Sequence, residues 1–384
     1  MNLSVYNPFP SILFYGMACM LILLLVRLGE LENKKSLIKL GYALLTVIFV
    51  IRFDIGNDYE NYAIAVNEIT AKAEIGKSFI EQWLANDQNV ELAFYFFSCL
   101  FSWMPHTYVV VIGMYSLITI LLLYKSLDRE RGYHMWGLLM FIISGIMFCT
   151  WDWVRQSVAI MVVLYAFKYI EQKKLLRFLI LIAIGMLFHK TIILVLPFYF
   201  VSYIKIHKNI LVVALFVISA IYVTGFFDDV LMEIMQYADF IDGYRWYANS
   251  AQGIEKIETL NYKLRSLFYV IVWASIIFTM PSSENQKRIF LFLGGALFLI
   301  VSGSLALTRI AYYFIVISVV ALPCSIKNLS KTNRLVRQIV FLLLITMTGL
   351  WIRDIYTGNN RGCTPYDTVF SDNYTFQKFR KRNY

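Results

Sequence analysis

Three groups of basic residues could bind an anion, because each is placed at the predicted start of an apolar helix. They are Arg155, His189 with Lys190, and Arg309. Free backbone N–H groups and the helix dipole favour negative charge at such a position. Arginine suits phosphate in particular, because its planar guanidinium can bond two oxygens at once. Together the groups predict a diphosphate site, whereas each alone could be a basic side chain extended towards a lipid surface.

Two carboxylates and one histidine are the candidates for proton transfer. Asp54 and Asp58 flank Gly56, which permits a turn and the close approach of a ligand. One carboxylate could act as a base on a hydroxyl group, or both could hold a divalent cation beside a phosphate. The same pattern also fits an exposed polar turn. His189 follows an apolar residue, a setting that favours a neutral ring able to accept a proton, although a histidine at a helix end is also commonly structural.

Arg309, Tyr312 and Tyr313 are spaced to share one face of a helix, so two phenol rings could flank a guanidinium. Such a face would suit a sugar or a phosphate. With 17% aromatic residues in the chain, an aromatic belt at a membrane interface is the alternative for most of the Trp and Tyr residues.

The composition places these residues in a membrane protein. Hydrophobic residues make up 59% of the 384 residues, charged residues 16%, and the mean hydropathy is +0.63. Soluble proteins carry charge at about a quarter of their residues. The net charge of +10 resides mostly in short loops between apolar runs, so it indicates topology rather than nucleic-acid binding. We therefore expect one all-α polytopic membrane domain over residues 1–384.

Placing the basic loops in the cytoplasm predicts about twelve spans with both termini outside. The short apolar stretch 90–104 is predicted to be an external interfacial helix or a re-entrant one, since counting it as a span would place Lys125 and Arg129 outside. Larger external segments are expected at about 54–106 and 228–262, with an external tail at about 353–384. The predicted spans are 8–26, 39–53, 107–124, 135–150, 154–170, 175–188, 191–204, 210–227, 264–280, 289–304, 310–322 and 336–351.

The cysteines and the known short motifs indicate no metal site and no soluble-enzyme chemistry. None of the five cysteines has metal-ligand spacing, and a disulfide between Cys99 and Cys363 is the only pairing considered. Asp152 could pair with Arg155 or Arg52. The sequence contains no motif of the soluble hydrolases, P-loop proteins or zinc proteases.

Six short motifs in one order give the chain a resemblance to the EpsG/Wzy-type polysaccharide polymerase family. Nearly the whole chain is covered. The motifs are Gly-x-Asp-Tyr-x-x-Tyr (Gly56, Asp58, Tyr59, Tyr62), the acidic Glu91, Arg-Gln-x-x-Ala (Arg155, Gln156, Ala159), His-Lys-Thr (His189, Lys190, Thr191), Arg-x-x-x-Tyr-Phe (Arg309, Tyr313, Phe314) and Pro-Tyr (Pro365, Tyr366).

This resemblance implies polymerisation of undecaprenyl-diphosphate-linked oligosaccharide repeats, for O-antigen, capsule or exopolysaccharide, at the outer face of the bacterial cytoplasmic membrane. Donor and acceptor would both be lipid-linked repeats, and a chain-length regulator and a flippase are the further expected partners. Arg155 and Arg309, with Arg52 and Lys190, would hold the diphosphate, while His189, Asp54 or Asp58 would deprotonate the acceptor. Further contacts to the substrate are expected from Gln156, Tyr59, Tyr312, Tyr313 and Tyr366.

Alternatives from other classes stay open. We expect a GT-C-like architecture and no cofactor, with a divalent metal at Asp54 and Asp58 as a minor alternative. A lipid-linked oligosaccharide flippase would also be polytopic and basic, but its charges should lie within spans. A ligase or another membrane glycosyltransferase is the second alternative.

The predicted topology can be tested by labelling single cysteines in intact cells. We expect labelling from outside at positions 58, 247 and 365, and labelling only after permeabilisation at positions 35, 131, 173 and 334, because basic loops resist translocation. Free external labelling at position 173 would overturn the arrangement.

Overall fold

The computed structural model describes residues 7–72, 78–85, 90–129, 133–237, 260–302, 304–358 and 361–370. These residues form helices joined by short turns, and their single β-bridge joins Arg52 to Thr368. The prediction of an all-α membrane protein is confirmed. Predictions for Arg131, Tyr247 and the tail beyond residue 370 fall outside the described residues.

The chain divides into two compact units. The first comprises Met1–Tyr169, Lys174–Leu194 and Thr348–Tyr384, and the second comprises Ile170–Lys173 and Val195–Met347. A single domain over the whole chain stays a prediction.

The first unit begins with a helical hairpin. Asn7 caps the first helix by accepting a hydrogen bond from the Phe9 backbone N–H at 3.1 Å, and Pro8 occupies the first helical position. The unit's helices in chain order are α1 (Pro8–Leu31), α2 (Lys35–Val50), α3 (Tyr59–Ala71), α4 (Phe79–Leu84), α5 (Leu92–Leu100), α6 (Thr107–Leu127), α7 (His134–Ile143), α8 (Ile146–Asp152), α9 (Val154–Glu171) and α10 (Leu175–Met186). Helices α3 and α5 pack on each other and on α6, so the segment predicted as an external loop is folded against the bundle.

The second unit contains most of the remaining helices. After a 3-10 helix, Lys190–Val195, the chain forms α11 (Phe198–Val201), α12 (Lys208–Val223), α13 (Phe226–Tyr237), α14 (Leu260–Thr279), a 3-10 turn at Ser282–Glu284, α15 (Asn285–Ile300), α16 (Leu305–Ile315), α17 (Ser318–Leu329) and α18 (Arg334–Thr357). Helix α15 packs on α12, α14 and α16. Helix α18 continues into the first unit, where residues 361–370 follow it.

Five helical stretches in the described part of the chain are long and apolar enough to cross a membrane. They are Pro8–Leu31, Thr107–Leu127, Leu260–Thr279, Leu307–Leu329 and Arg334–Thr357. The bent pair α7 and α8 would make a sixth. Each of the twelve predicted spans overlaps a helix, but several of these helices are shorter than 18 residues. The span count of twelve and the GT-C-like architecture stay predictions.

Two predicted spans are interrupted in ways that sequence hydropathy did not show. The span predicted at 135–150 bends by 61° between α7 and α8, where Gly145 has a φ of +77°, a left-handed conformation that glycine adopts without a steric penalty. The span predicted at 191–204 is a 3-10 helix followed by the one-turn α11. A helix, α5, lies within the stretch 90–104, and its external interfacial position stays a prediction.

All five cysteines are free thiols, so the disulfide considered between Cys99 and Cys363 is not formed.

The contact between α15 and α16 depends on Gly294. A Cβ atom added there would lie 2.8 Å from the backbone nitrogen of Ile315, whereas one added at Gly349 in α18 would meet nothing within 4 Å. We expect Gly294→Ala to cost about 1–3 kcal/mol through overpacking. Gly349→Ala is the control, with stability unchanged or raised by about 0.5–1 kcal/mol. Melting temperatures of the detergent-purified variants test this, and equal values for the two would contradict the close packing.

Candidate functional site

Glu91 joins two of the predicted site residues. Its Oε2 lies 2.5 Å from Nη1 of Arg155, and its Oε1 lies 2.7 Å from Nδ1 of His189. Glu91 precedes the first residue of α5, Arg155 lies in the first turn of α9, and His189 follows α10. A hydrogen bond of 2.9 Å from the Ala93 N–H to the Leu187 carbonyl ties α5 to the segment that carries His189. We call Glu91, Arg155 and His189 the Glu91 triad.

Glu91 is ionised in this arrangement. Burial of the carboxyl opposes ionisation, but the hydrogen bond with His189 and the charge of Arg155 outweigh it and lower the pKa of Glu91 to about 2. An ionised carboxylate can only accept hydrogen bonds. His189 therefore donates through Nδ1–H.

The other ring nitrogen of His189 is available to a substrate. Nε2 forms no hydrogen bond with the described residues, and the side chain is 21% exposed. With Nδ1 protonated, Nε2 of the neutral ring carries a lone pair that can accept a proton. A carboxylate that fixes the tautomer of a histidine in this way is the arrangement found in many general bases. This geometry is compatible with proton transfer by His189, and its role as a base stays a prediction.

Arg155 keeps hydrogen-bonding capacity beyond its contact with Glu91. Its side chain is 25% exposed, and its Nε has no hydrogen-bond partner among the described residues. The rings of Tyr62 and Phe94 lie 5.7 Å from the guanidinium carbon and flank it. The helix-start position predicted for Arg155 is confirmed, because α9 begins at Val154.

The Asp54–Asp58 segment forms a tight turn against the end of α8. Gly56 has a φ of +101°, and an added Cβ would lie 2.8 Å from the Trp151 carbonyl oxygen, so the turn needs glycine. The Asp58 backbone N–H donates to Oδ1 of Asp152 at 3.2 Å. Asp58 is half-buried, whereas Asp54 is only 3% exposed. Asp58 is therefore the more accessible of the two predicted carboxylates.

In the described part of the chain, Asp54 and Asp58 belong to no cluster of three potential metal ligands. Within the described ranges, no group of three or more His, Cys, Asp or Glu side chains is placed to hold a metal ion.

Residues 361–370 pack against the Asp54–Asp58 turn. The N–H groups of Gly56 and Asn57 donate to the carbonyls of Gly362 and Arg361, each at 3.1 Å. Nη1 of Arg361 lies 3.5 Å from Oδ2 of Asp152, and its guanidinium lies 4.3 Å from the Trp153 ring centroid. The C-terminal segment therefore packs on the Gly56 turn, and Arg361 is an additional cation beside Asp152 and Trp153.

Tyr366 anchors the same segment. Its ring stacks on Phe14 with centroids 4.2 Å apart, and its hydroxyl donates to the Ile48 carbonyl at 2.7 Å. Tyr366 was predicted to contact substrate, and in the structure its hydroxyl holds the tail on α2.

Arg52 is buried rather than presented to a ligand. It is 1% exposed, and its Nη1 donates to the Phe49 carbonyl at 2.6 Å and to the Ser116 hydroxyl at 2.5 Å. These contacts join the end of α2 to α6, so the geometry favours a structural role over the predicted diphosphate contact. Tyr59 and Gln156 are also buried, while Lys190 is exposed at the start of the 3-10 helix.

Arg309, Tyr312 and Tyr313 belong to the second unit. The prediction that Arg309 begins a helix is wrong, because α16 begins at Leu305 and places Arg309 beyond the four free N–H groups of the first turn. Tyr313 is fully buried, and Arg309 and Tyr312 are half-buried.

The sequence places Glu91 among the family motifs but predicts no partner or role for it. A single carboxylate between Val90 and Leu92 is the signal that could have found it, because a charge in an apolar stretch needs a partner.

The Glu91 triad should make the free energy of unfolding depend on pH below 4.5. The pKa of Glu91 is lowered from 4.5 to about 2 in the folded protein, so its stabilisation is fully present above pH 4.5 and is lost as the pH falls towards 2. The difference corresponds to about 3 kcal/mol. We expect Glu91→Gln to lower the melting temperature at pH 7 and to reduce its dependence on pH below 4.5. Glu233→Gln, which removes an exposed carboxylate on α13, should leave the curve unchanged; a wild-type curve for Glu91→Gln would contradict the pairing.

Comparison with known proteins identifies the family. A model of the EpsG family matches residues 37–368, which include the Glu91 triad. No curated protein and no solved structure matches the chain. The match covers most of the chain, and membership suggests a polysaccharide polymerase of the glycosyltransferase type. This membrane protein belongs to the EpsG family.

Proposed function

We propose that the protein polymerises undecaprenyl-diphosphate-linked oligosaccharide repeats by glycosyl transfer at the outer face of the bacterial cytoplasmic membrane. The observation that carries the proposal is the Glu91 triad, in which an oriented histidine lies beside a partly exposed arginine. Family membership supplies the class of reaction.

The transfer requires three events at one anomeric carbon. A hydroxyl oxygen of the acceptor sugar forms the new bond to that carbon, the bond from the carbon to the diphosphate oxygen breaks, and the bonding electrons leave with the polyprenyl diphosphate. The hydroxyl proton moves to a base. Catalysis therefore needs a base near the acceptor and positive charge near the leaving diphosphate.

The Glu91 triad supplies both requirements. Nε2 of His189 accepts the hydroxyl proton, and Glu91 stabilises the resulting imidazolium as an ionised carboxylate. Arg155 offers N–H groups to the diphosphate oxygens. His189 is favoured over Asp54 as the base because Asp54 is almost completely buried, and Asp58 is the alternative base.

Arg309 and Lys190 stay sequence-based predictions for diphosphate binding. Arg309→Ala in the assay below tests the first of them independently of the Glu91 triad.

The proposal is tested with purified protein and a synthetic polyprenyl-diphosphate repeat in detergent, without nucleotide sugar. We expect dimers and longer oligomers to form with release of polyprenyl diphosphate. A flippase has no leaflet to cross under these conditions, so inactivity of folded protein would count for the transporter alternative and against polymerisation.

Variants of the Glu91 triad should separate its roles. We expect His189→Gln to lower the rate about 10²–10⁴-fold through loss of the base. Arg155→Ala should lower the rate about 10²–10³-fold. Arg155→Lys should restore little of this activity, because the lysine ammonium cannot bond two phosphate oxygens as the planar guanidinium does.

Matched controls are available on exposed positions of the first unit. His106→Gln and Arg353→Ala remove the same side-chain types outside the Glu91 triad and should keep wild-type chain lengths. Normal polymer from folded Arg155→Ala and His189→Gln protein would refute the assigned roles.

A further inference from the structure

A second candidate site lies in the second unit, in a cleft of about 670 Å³. It is lined by basic, hydroxyl and aromatic side chains. Those that matter for the argument are Lys173, Lys205, Arg288, Ser282, Tyr199 and Tyr203. By the predicted topology the loops that carry these residues face the cytoplasm, whereas the proposed glycosyl transfer takes place outside.

Arg288 is a buried cation with unused hydrogen-bonding capacity. The residue is 4% exposed, its Nη2 donates to the Met280 carbonyl, and its Nε has no hydrogen-bond partner in the described part of the chain. It forms no ion pair with any described residue. Glu284, four residues earlier, favours the charge of Arg288 electrostatically but does not contact it directly. A buried charge without a direct ion pair is costly, and an anionic ligand in the cleft would offset that cost.

The neighbouring carboxylates are engaged by another lysine. Nζ of Lys287 lies 2.9 Å from Oε1 of Glu171 and 2.6 Å from Oε2 of Glu284. Lys173 and Lys205 form no ion pair with the residues that the structure describes. The cleft therefore keeps an excess of positive charge.

Hydroxyl and backbone donors lie at the same place. Ser282 and Ser283 line the cleft and form the 3-10 turn that leads directly into the 16-residue helix α15. The start of such a helix favours negative charge through its free N–H groups. Together with Arg288, these groups provide the donor set that phosphate oxygens need.

The walls of the cleft are fixed before any ligand binds. Nδ2 of Asn285 donates to the Ile204 carbonyl at 3.0 Å, which ties the loop of Lys205 to the start of α15. The Tyr203 hydroxyl donates to the Ile170 carbonyl at 2.7 Å, which ties the same loop to the turn that carries Lys173. A preformed site binds without a large ordering cost.

We propose that this cleft binds the phosphate group of an organic phosphate ester on the cytoplasmic side of the membrane. Lys173, Lys205 and Arg288 would bind the phosphate, and the rings of Tyr199 and Tyr203, 5.4 Å apart, would contact the organic part. The volume is within the range of small-molecule sites, about 300–1,000 Å³, and exceeds the needs of a free phosphate ion. The ester is an anionic phospholipid headgroup or a soluble phosphorylated compound, and either would act separately from the Glu91 triad.

The test uses the full-length protein in neutral detergent, with inorganic phosphate as the probe. We expect the melting temperature to rise saturably with phosphate, but not with chloride at equal ionic strength. Lys173→Gln with Lys205→Gln should weaken the apparent affinity for phosphate at least tenfold. Both side chains are exposed, so the double variant should fold.

The matched control is Lys327→Gln with Lys331→Gln, which removes two exposed lysines of the same unit outside the cleft. It should keep wild-type phosphate binding. Equal weakening in both double variants would show an effect of net charge alone, and unchanged binding in the cleft variant would place the phosphate elsewhere, for example at Arg155. Either result would overturn the proposal.

Nanodiscs distinguish the two sources of phosphate. If the natural ligand is a headgroup, phosphate should stabilise the protein in phosphatidylcholine and lose this effect when phosphatidylglycerol is added. If it is a soluble ester, the effect should persist in both. No stabilisation of folded protein in detergent or in phosphatidylcholine would refute the site. These measurements do not depend on polymerase activity, so failure of the proposed function would leave them unaffected.

Discussion

The ion pair between Glu91 and Arg155 is the contact on which the first unit's candidate site depends. Both side chains lie largely out of water, where an unpaired charge would cost several kcal/mol. The pairing needs α5 and α9 to meet, and Glu91 in turn fixes the orientation of His189 after α10. One carboxylate thereby sets the relative positions of three segments that are far apart in the sequence. Because the same carboxylate is ionised, it also sets the tautomer of His189.

The C-terminal segment imposes a second constraint on the same region. Residues 361–370 exchange backbone hydrogen bonds with residues 51–57, and Arg361 pairs with Asp152 immediately before α9. The Gly56 turn thus packs between the end of α8 and residues 361–362. Damage to the tail should therefore reach the Glu91 triad through Asp152 and α9 without touching any member of it. This explains why a Pro-Tyr motif near the C-terminus can accompany motifs some 300 residues earlier.

The sequence predicted the helices and most of the site's members, but not their pairings. Hydropathy located a helix in every predicted span, because burying backbone groups in lipid requires helices. It missed the bend at Gly145 and the 3-10 helix after His189, because breaks inside apolar runs do not change mean hydropathy. Arg155 and His189 were found from their positions at helix ends. Their link through Glu91, the burial of Arg52 and the docking of Arg361 depend on tertiary contacts that no local pattern encodes.

The charge balance of the Glu91 triad suits a reaction that creates an anionic leaving group. When the His189 ring is neutral, the charges of the carboxylate of Glu91 and the guanidinium of Arg155 cancel. In the proposed transfer, His189 gains a proton as the bond to the diphosphate breaks. The cluster then carries one positive charge at the stage when the departing diphosphate gains negative charge. Outside bulk water such a change is weakly screened, so it would stabilise the transition state more than the bound substrate, which is the requirement for raising the rate of the chemical step.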